Sequence, residues 1–181
     1  MELIYDLWLD HIKGCGAVLT ARLLEKFGSA EEVYREQEVS AFLEVEGVGY
    51  ETAFALATQK DLAKARENAE MVESRAIPWL TLKCGAYPPM LREIHDPPSI
   101  LYYKGKNVFM DGLPAVAIVG GRKATAYGLS AAQSIAQDLA SAGVIIVSGL
   151  AGGIDAAAHK GALSVGGVTA GVLGCGVDMV Y

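Results

Sequence analysis

The chain has 181 residues, 52% of them hydrophobic, with 15 Lys and Arg against 21 Asp and Glu for a formal net charge of −6. That length is ample for one or two buried cores, the composition is that of a folded chain, and no apolar run approaches the roughly 20 residues of a membrane-spanning helix. The N-terminus lacks the basic and apolar regions of a signal peptide, and Cys15, Cys84 and Cys175 are far apart and form no C-x-x-C pair. They read as free thiols in a reducing cytoplasm, with no metal site, disulfide or cofactor expected.

The first 75 residues read as a small all-helical domain. Helical spacing runs over Met1–His11, with Leu3, Tyr5, Leu7 and Trp8, and over Ala17–Phe27, with Leu19, Leu23, Leu24 and Phe27 before Gly28. Shorter helices are predicted at Ala30–Arg35, Val39–Glu44 and Glu51–Ala57, then a charged one at Asp61–Arg75. Two turns share a pattern, Ile12-Lys13-Gly14-Cys15-Gly16 and Val45-Glu46-Gly47-Val48-Gly49. Gly-x-Gly between helices resembles the helix–hairpin–helix element, whose glycines let backbone amides approach a DNA phosphate. The second turn, followed by Thr52 and Ala53, matches better, yet Glu44, Glu46 and Glu51 surround it and repel phosphate. Both turns are therefore read as packing elements, with a protein-binding face as the functional variant. Residues 1–75 hold 8 Lys and Arg against 15 Asp and Glu, so the acidic surplus of the chain lies here.

A lead-in from Ala76 to Pro114 follows, in which Tyr102 and Tyr103 alternate faces of a strand, one toward a core and one toward solvent. From Ala115 onward, three β-branched runs each empty into a glycine-rich turn. Ala115–Val119 reads as a strand buried on both faces, Gly120-Gly121-Arg122-Lys123 turns the chain, and Ala126–Ala142 is helical. That helix carries Leu129, Ala132, Ile135, Ala136 and Leu139 on one face and ends at Gly143. The second strand, Val144–Val147, runs into Ser148-Gly149-Leu150, and Asp155 falls in the first turn of the next helix, as a capping carboxylate would. Asp155 and His159, four apart, read as a helix-stabilising pair. The third strand, Val168–Leu173, turns through Gly174-Cys175-Gly176.

The fold class is therefore α/β, a parallel, doubly wound, extended Rossmann-like sheet preceded by the helical domain, with a crevice for an anion at the strand ends. Orphan backbone N–H groups beside Arg122 and Lys123 suit phosphate, and Lys160 either joins them or is solvated. The G-x-G-x-x-G fingerprint and the acidic end of the second strand that a nicotinamide dinucleotide needs are both missing, as is a P-loop. Ser148 lacks the G-x-S-x-G context of a nucleophile.

The chained motifs VAIVGGRKATAYG, VSGLAGGIDAAAHKGAL and GGVTAGVLGCGVDMVY resemble the DNA-processing protein A family, also called Smf. Tyr87-Pro88, Leu91, Asp96-Pro97-Pro98 and Leu101-Tyr102 resemble its lead-in. The resemblance implies a sterile-alpha-motif-like domain over residues 1–75. Over residues 76–181, lead-in 76–114 included, it implies the N-terminal part of a Rossmann-like DNA-binding domain. It further implies non-enzymatic binding of single-stranded DNA in natural transformation and recombination, a homodimer, and help in loading the RecA recombinase. Arg122 stands where the family's arginine contacts the DNA backbone, Gly121 replaces the usual serine, and Gly152 stands where a basic residue is usual. The expected DNA-facing groups are Gly120, Gly121, Arg122, Lys123, Ser148, Gly149, Gly153 and Lys160. A sheet of this kind continues beyond a third strand, so the chain is expected to be a truncated part of it. The alternative is a nucleotide-binding enzyme of the Rossmann-like phosphoribohydrolase group, whose Pro-Gly-Gly-x-Gly-Thr segment is absent from these residues. A third reading is an interaction scaffold whose acidic helices bind a recombinase.

Overall fold

The structure is a computed structural model that describes residues 3–106 and 112–179. The chain divides into two compact units, residues 1–105 and 106–181.

In the first unit, α1 (Leu3–His11), α2 (Ala17–Phe27), α3 (Ala30–Arg35), α4 (Val39–Leu43), α5 (Tyr50–Thr58) and α6 (Ala63–Ser74) follow the predicted helices closely. Gly28 ends α2 at φ +90, its N–H returning to the Leu24 carbonyl at 2.9 Å, and Ser29 caps α3 by accepting from the Glu32 N–H. Leu9, Leu23, Leu24, Phe42 and Leu56 are fully buried together. Strands β1 (Trp79–Thr81) and β2 (Ile100–Tyr102) pair antiparallel around the short α7 (Pro89–Arg92), with Leu80 opposite Leu101. Leu80, Leu82 and Tyr87 join the helical core, so by compactness residues 76–105 lie with the helices, whereas the sequence places this lead-in with the sheet. Tyr102 faces outward and Tyr103 packs on the core. Lys60 reaches into the helices, donating to the Tyr34 and Glu36 carbonyls at 2.6 and 2.7 Å beneath the rings of Trp8 and Tyr34. Burial pushes its pKa down to about 8, against the pull of Glu36.

The second unit is an α/β layer of β3 (Ala115–Ala117), α8 (Ala126–Ser141), β4 (Ile145–Ser148), α9 (Ile154–Ser164) and β5 (Thr169–Gly171). The strands lie parallel in the order β3-β4-β5, with Val116 opposite Ile146 and Ile146 opposite Thr169. Ile146 packs under Ala136, Ala140, Ala158 and Ala162 of the two helices. This core is made of alanines because α8 and α9 nearly touch. A Cβ on Gly161 would collide with the Gln133 carbonyl and come within 3.0 Å of Ala136 Cβ.

Two expectations are corrected. Ile135 is 53% exposed, and the buried face of α8 is Ala132, Ala136 and Ala140, because only methyl groups fit the tight seam with α9. Ala115–Ala117 is exposed rather than buried on both faces, since among the described residues β3 pairs only with β4.

The seam yields a test. Gly161→Ala should lower stability by about 1–3 kcal/mol in urea denaturation, the usual cost of overpacking. Gly152→Ala, where nothing lies within 4 Å of an added Cβ, should leave it unchanged.

Candidate functional site

The site is built where α9 begins against the turn after β3. Gly153 has φ +83 and ψ −129, and a Cβ there would collide with the Gly121 carbonyl and meet that of Arg122 at 2.6 Å. Only glycine can stand in this position. The Ile154 N–H then donates to the Gly121 carbonyl at 3.4 Å, and the Ile154 side chain fills the space beside Gly120. At the other end of the turn, Thr125 caps α8 by accepting from the Gly128 N–H at 3.1 Å. Arg122 and Lys123 are thereby set across from Lys160 on α9. With Gln133, Leu129 and Gly153 they line a cleft of about 380 Å³. All three cations are exposed, and among the described residues none has an acidic partner at ion-pair distance. Three uncompensated positive charges around one cleft can hold two or more phosphates at once.

The crevice between the two glycine turns is already occupied by the chain itself. Asp155 is buried, and its Oδ1 accepts from the Gly120 N–H at 3.3 Å. Its Oδ2 lies 2.8 Å from where a Cβ on Gly149 would be. The amide expected to meet a phosphate is thus already turned onto a carboxylate. Ser148 is only 2% exposed, its hydroxyl donating to the Ile118 carbonyl at 2.6 Å and tying β4 to the end of β3. Of the residues singled out in the sequence, the structure brings Arg122, Lys123, Gly153 and Lys160 together at the cleft. Gly121 is exposed in the turn, Gly120 and Gly149 face Asp155, and Ser148 lies inside the sheet. Sequence reasoning misses Gln133, one turn beyond Leu129, and Tyr127, 84% exposed at the start of α8. An aromatic two residues after a cap threonine, off the apolar stripe of its helix, is the signal that would have found Tyr127.

His159 fastens the middle of α9. Its Nδ1 lies 2.7 Å from Thr169 Oγ1, and that hydroxyl donates its one hydrogen to the Ile146 carbonyl. Nδ1 is therefore the donor, which leaves Nε2 a buried acceptor with no hydrogen-bond partner among the described residues. The expected helix-stabilising pair of Asp155 and His159 makes no hydrogen bond or ion pair among the described residues, because Asp155 bonds to the Gly120 amide in the turn after β3 and His159 to Thr169 of β5. Burial pushes the His159 pKa down, and the charge of Asp155 opposes this only in part. The unfolded chain therefore takes up a proton near 6.5 that the folded chain refuses until lower pH, so stability is lost as pH falls through that range. Melting temperatures measured from pH 7.5 to 5 should fall more steeply for the native chain than for His159→Gln.

A parallel β–α–β–α–β unit with glycine-rich turns at its strand ends defines a Rossmann-like α/β domain. The chain belongs to the DNA recombination-mediator protein A family, whose family model matches residues 79–181. It is 37% identical to Protein Smf of Synechocystis sp. over 99% of its own length and 46% of that protein. It is 41% identical to DNA processing protein DprA of Streptococcus pneumoniae over 60% of its length and 38% of that protein. It thus spans less than half the length of either curated relative. The X-ray structure of DNA processing protein A (DprA) from Streptococcus pneumoniae superposes with a TM-score of 0.72 at 31% identity, covering 98% of this chain and 59% of that one.

Proposed function

We propose that this chain binds single-stranded DNA, without catalysing a reaction, by laying successive phosphates across Arg122, Lys123 and Lys160. The observation that carries this reading is the set of three exposed cations on one cleft, none with an acidic partner at ion-pair distance among the described residues. The exposed backbone at Gly121 leaves room for a sugar–phosphate chain, and the exposed ring of Tyr127 offers a base a stacking face worth about 1–3 kcal/mol. Phosphate contacts of this kind position a strand without reading its sequence. A nucleoside monophosphate in the crevice is the weaker reading, since the buried Asp155 carboxylate would stand against its phosphate.

The family membership and the relatives' name, DNA processing protein, support extending the proposal to a role in transformation and recombination. In that setting the whole protein is a cytoplasmic homodimer that passes its strand to the RecA recombinase. Among the described residues no helix is long and apolar enough to cross a membrane.

Fluorescence anisotropy of labelled oligo-dT across a salt series tests the core of this reading. Each neutralised phosphate contributes roughly −0.7 to the slope of log K against log salt for a single strand, so three contacts predict a slope near −2. Arg122→Ala should weaken binding about tenfold, the loss of one charge-assisted hydrogen bond, and make the slope shallower by roughly 0.7. Unchanged affinity in the Arg122→Ala/Lys160→Ala double variant would overturn the assignment.

A further inference from the structure

The helical unit contains two copies of one hairpin, a shift of 33 positions carrying Gly14 onto Gly47. The first is α1, Ile12-Lys13-Gly14-Cys15-Gly16 and α2; the second is α4, Val45-Glu46-Gly47-Val48-Gly49 and α5. Gly14 and Gly47 have φ of +86 and +88. The backbone bonds repeat in step: Cys15 N–H to Ile12 and Val48 N–H to Val45, then Thr20 N–H to Gly16 and Ala53 N–H to Gly49. Burial repeats as well, with Leu9 and Phe42, and Leu23 and Leu56, all at 0% exposure. The packing is reciprocal. A Cβ on Gly14 would meet Thr52 Oγ1 at 2.7 Å, and one on Gly47 would meet Leu19 Cδ2 at 3.0 Å; Thr52 and Leu19 are equivalent positions of α5 and α2.

The first copy is therefore an internal control for the second, because whatever the fold requires is common to both. What differs lies in and just after the turns, chiefly at positions half-buried in the first copy and exposed in the second. Where α2 has Ala17 and Ala21, α5 has Tyr50 and Phe54, 66% and 51% exposed, with rings stacked at a centroid distance of 6.3 Å. Where the first copy has Lys13 and Val18, the second has Glu46 and Glu51. Glu51 makes no ion pair among the described residues, and Arg22 comes only to 3.7 Å of the largely exposed Glu46 carboxylate. A stacked aromatic pair left in water is unfavourable, and the alanines of the first copy show that the hairpin closes without it. The carboxylates beside it repel nucleic acid and attract Lys and Arg, whose cations also sit well on the faces of aromatic rings.

We propose that Tyr50 and Phe54, flanked by Glu46 and Glu51, form a docking surface for a basic protein segment carrying apolar side chains. This surface shares no residue with the cationic cleft, and the proposal does not rest on the DNA-binding reading. The two rings are its hot spots, and the carboxylates select the charge of the partner.

The test uses a fluorescein-labelled amphipathic Lys/Leu peptide and a Lys/Ser peptide of equal charge, titrated with the full chain. The Lys/Leu peptide should bind more tightly than the Lys/Ser peptide. Tyr50→Ala/Phe54→Ala should weaken it at least about tenfold while leaving melting temperature and oligo-dT affinity unchanged. Glu51→Lys should weaken it as well, which keeps the test sound if the double variant were to misfold. Equal binding of the Lys/Leu peptide by native chain and variants, no preference for it over the Lys/Ser peptide, or loss of oligo-dT rather than peptide binding would each overturn the proposal.

Discussion

The start of α9 is pressed onto the carbonyls of Gly121 and Arg122, and the contact is close enough that residue 153 can have no side chain. From that abutment, Ile154 fills the space beside Gly120 and Asp155 is carried into the crevice between the two glycine turns. Two turns further along the α9 side of the cleft, Lys160 comes to stand across from Arg122 and Lys123. His159 then holds the same helix to β5 through Thr169, and Gly161 lets it lie against α8. One backbone contact thus fixes both what fills the crevice and what lines the cleft.

In a Rossmann-like fold the anion usually meets backbone amides at the strand ends, helped by the helix dipole. Here a buried carboxylate takes one of those amides and sits in the positive field of the α9 N-terminus. The cations open to an anion are instead three side chains in water, Arg122, Lys123 and Lys160. Such contacts are weakened by salt and do not enclose a ligand, which suits an extended polyanion better than a small nucleotide. The net charge of −6 does not oppose this, because the acidic surplus belongs to residues 1–75 while residues 115–181 hold 3 Lys and Arg against 3 Asp and Glu.

Much of the fold was legible in the sequence. Ala17–Phe27 and Ala30–Arg35 are helices over the residues their periodicity and capping indicate, and the three strands empty into glycine turns as their β-branched runs suggest. Periodicity reports that a helix is amphipathic but not how wide a seam it must enter. The structure therefore turns Ile135 outward and seats Ala136 and Ala140 against α9. Bonds between distant positions leave no local trace. Asp155 looks like an ordinary cap until its carboxylate is seen 35 positions away on the Gly120 amide, and Ser148 looks available until its hydroxyl is seen on Ile118. Lys60 gives no sign in sequence that it will sit beneath Trp8 and Tyr34. The paired Gly-x-Gly turns were visible as a pattern, but their reciprocal packing needed the contacts of Thr52 and Leu19.

The central claim is that phosphate is met by cations beside the crevice and not by amides within it. Amide chemical shifts of isotope-labelled chain, titrated with oligo-dT and separately with a nucleoside monophosphate, test this most directly. The account predicts that oligo-dT moves Arg122, Lys123, Gln133 and Lys160 and leaves the Gly120 amide in place, and that the monophosphate likewise leaves Gly120 and Gly149 in place. Dominant shifts at Gly120 and Gly149, or saturable binding of the monophosphate there, would contradict it.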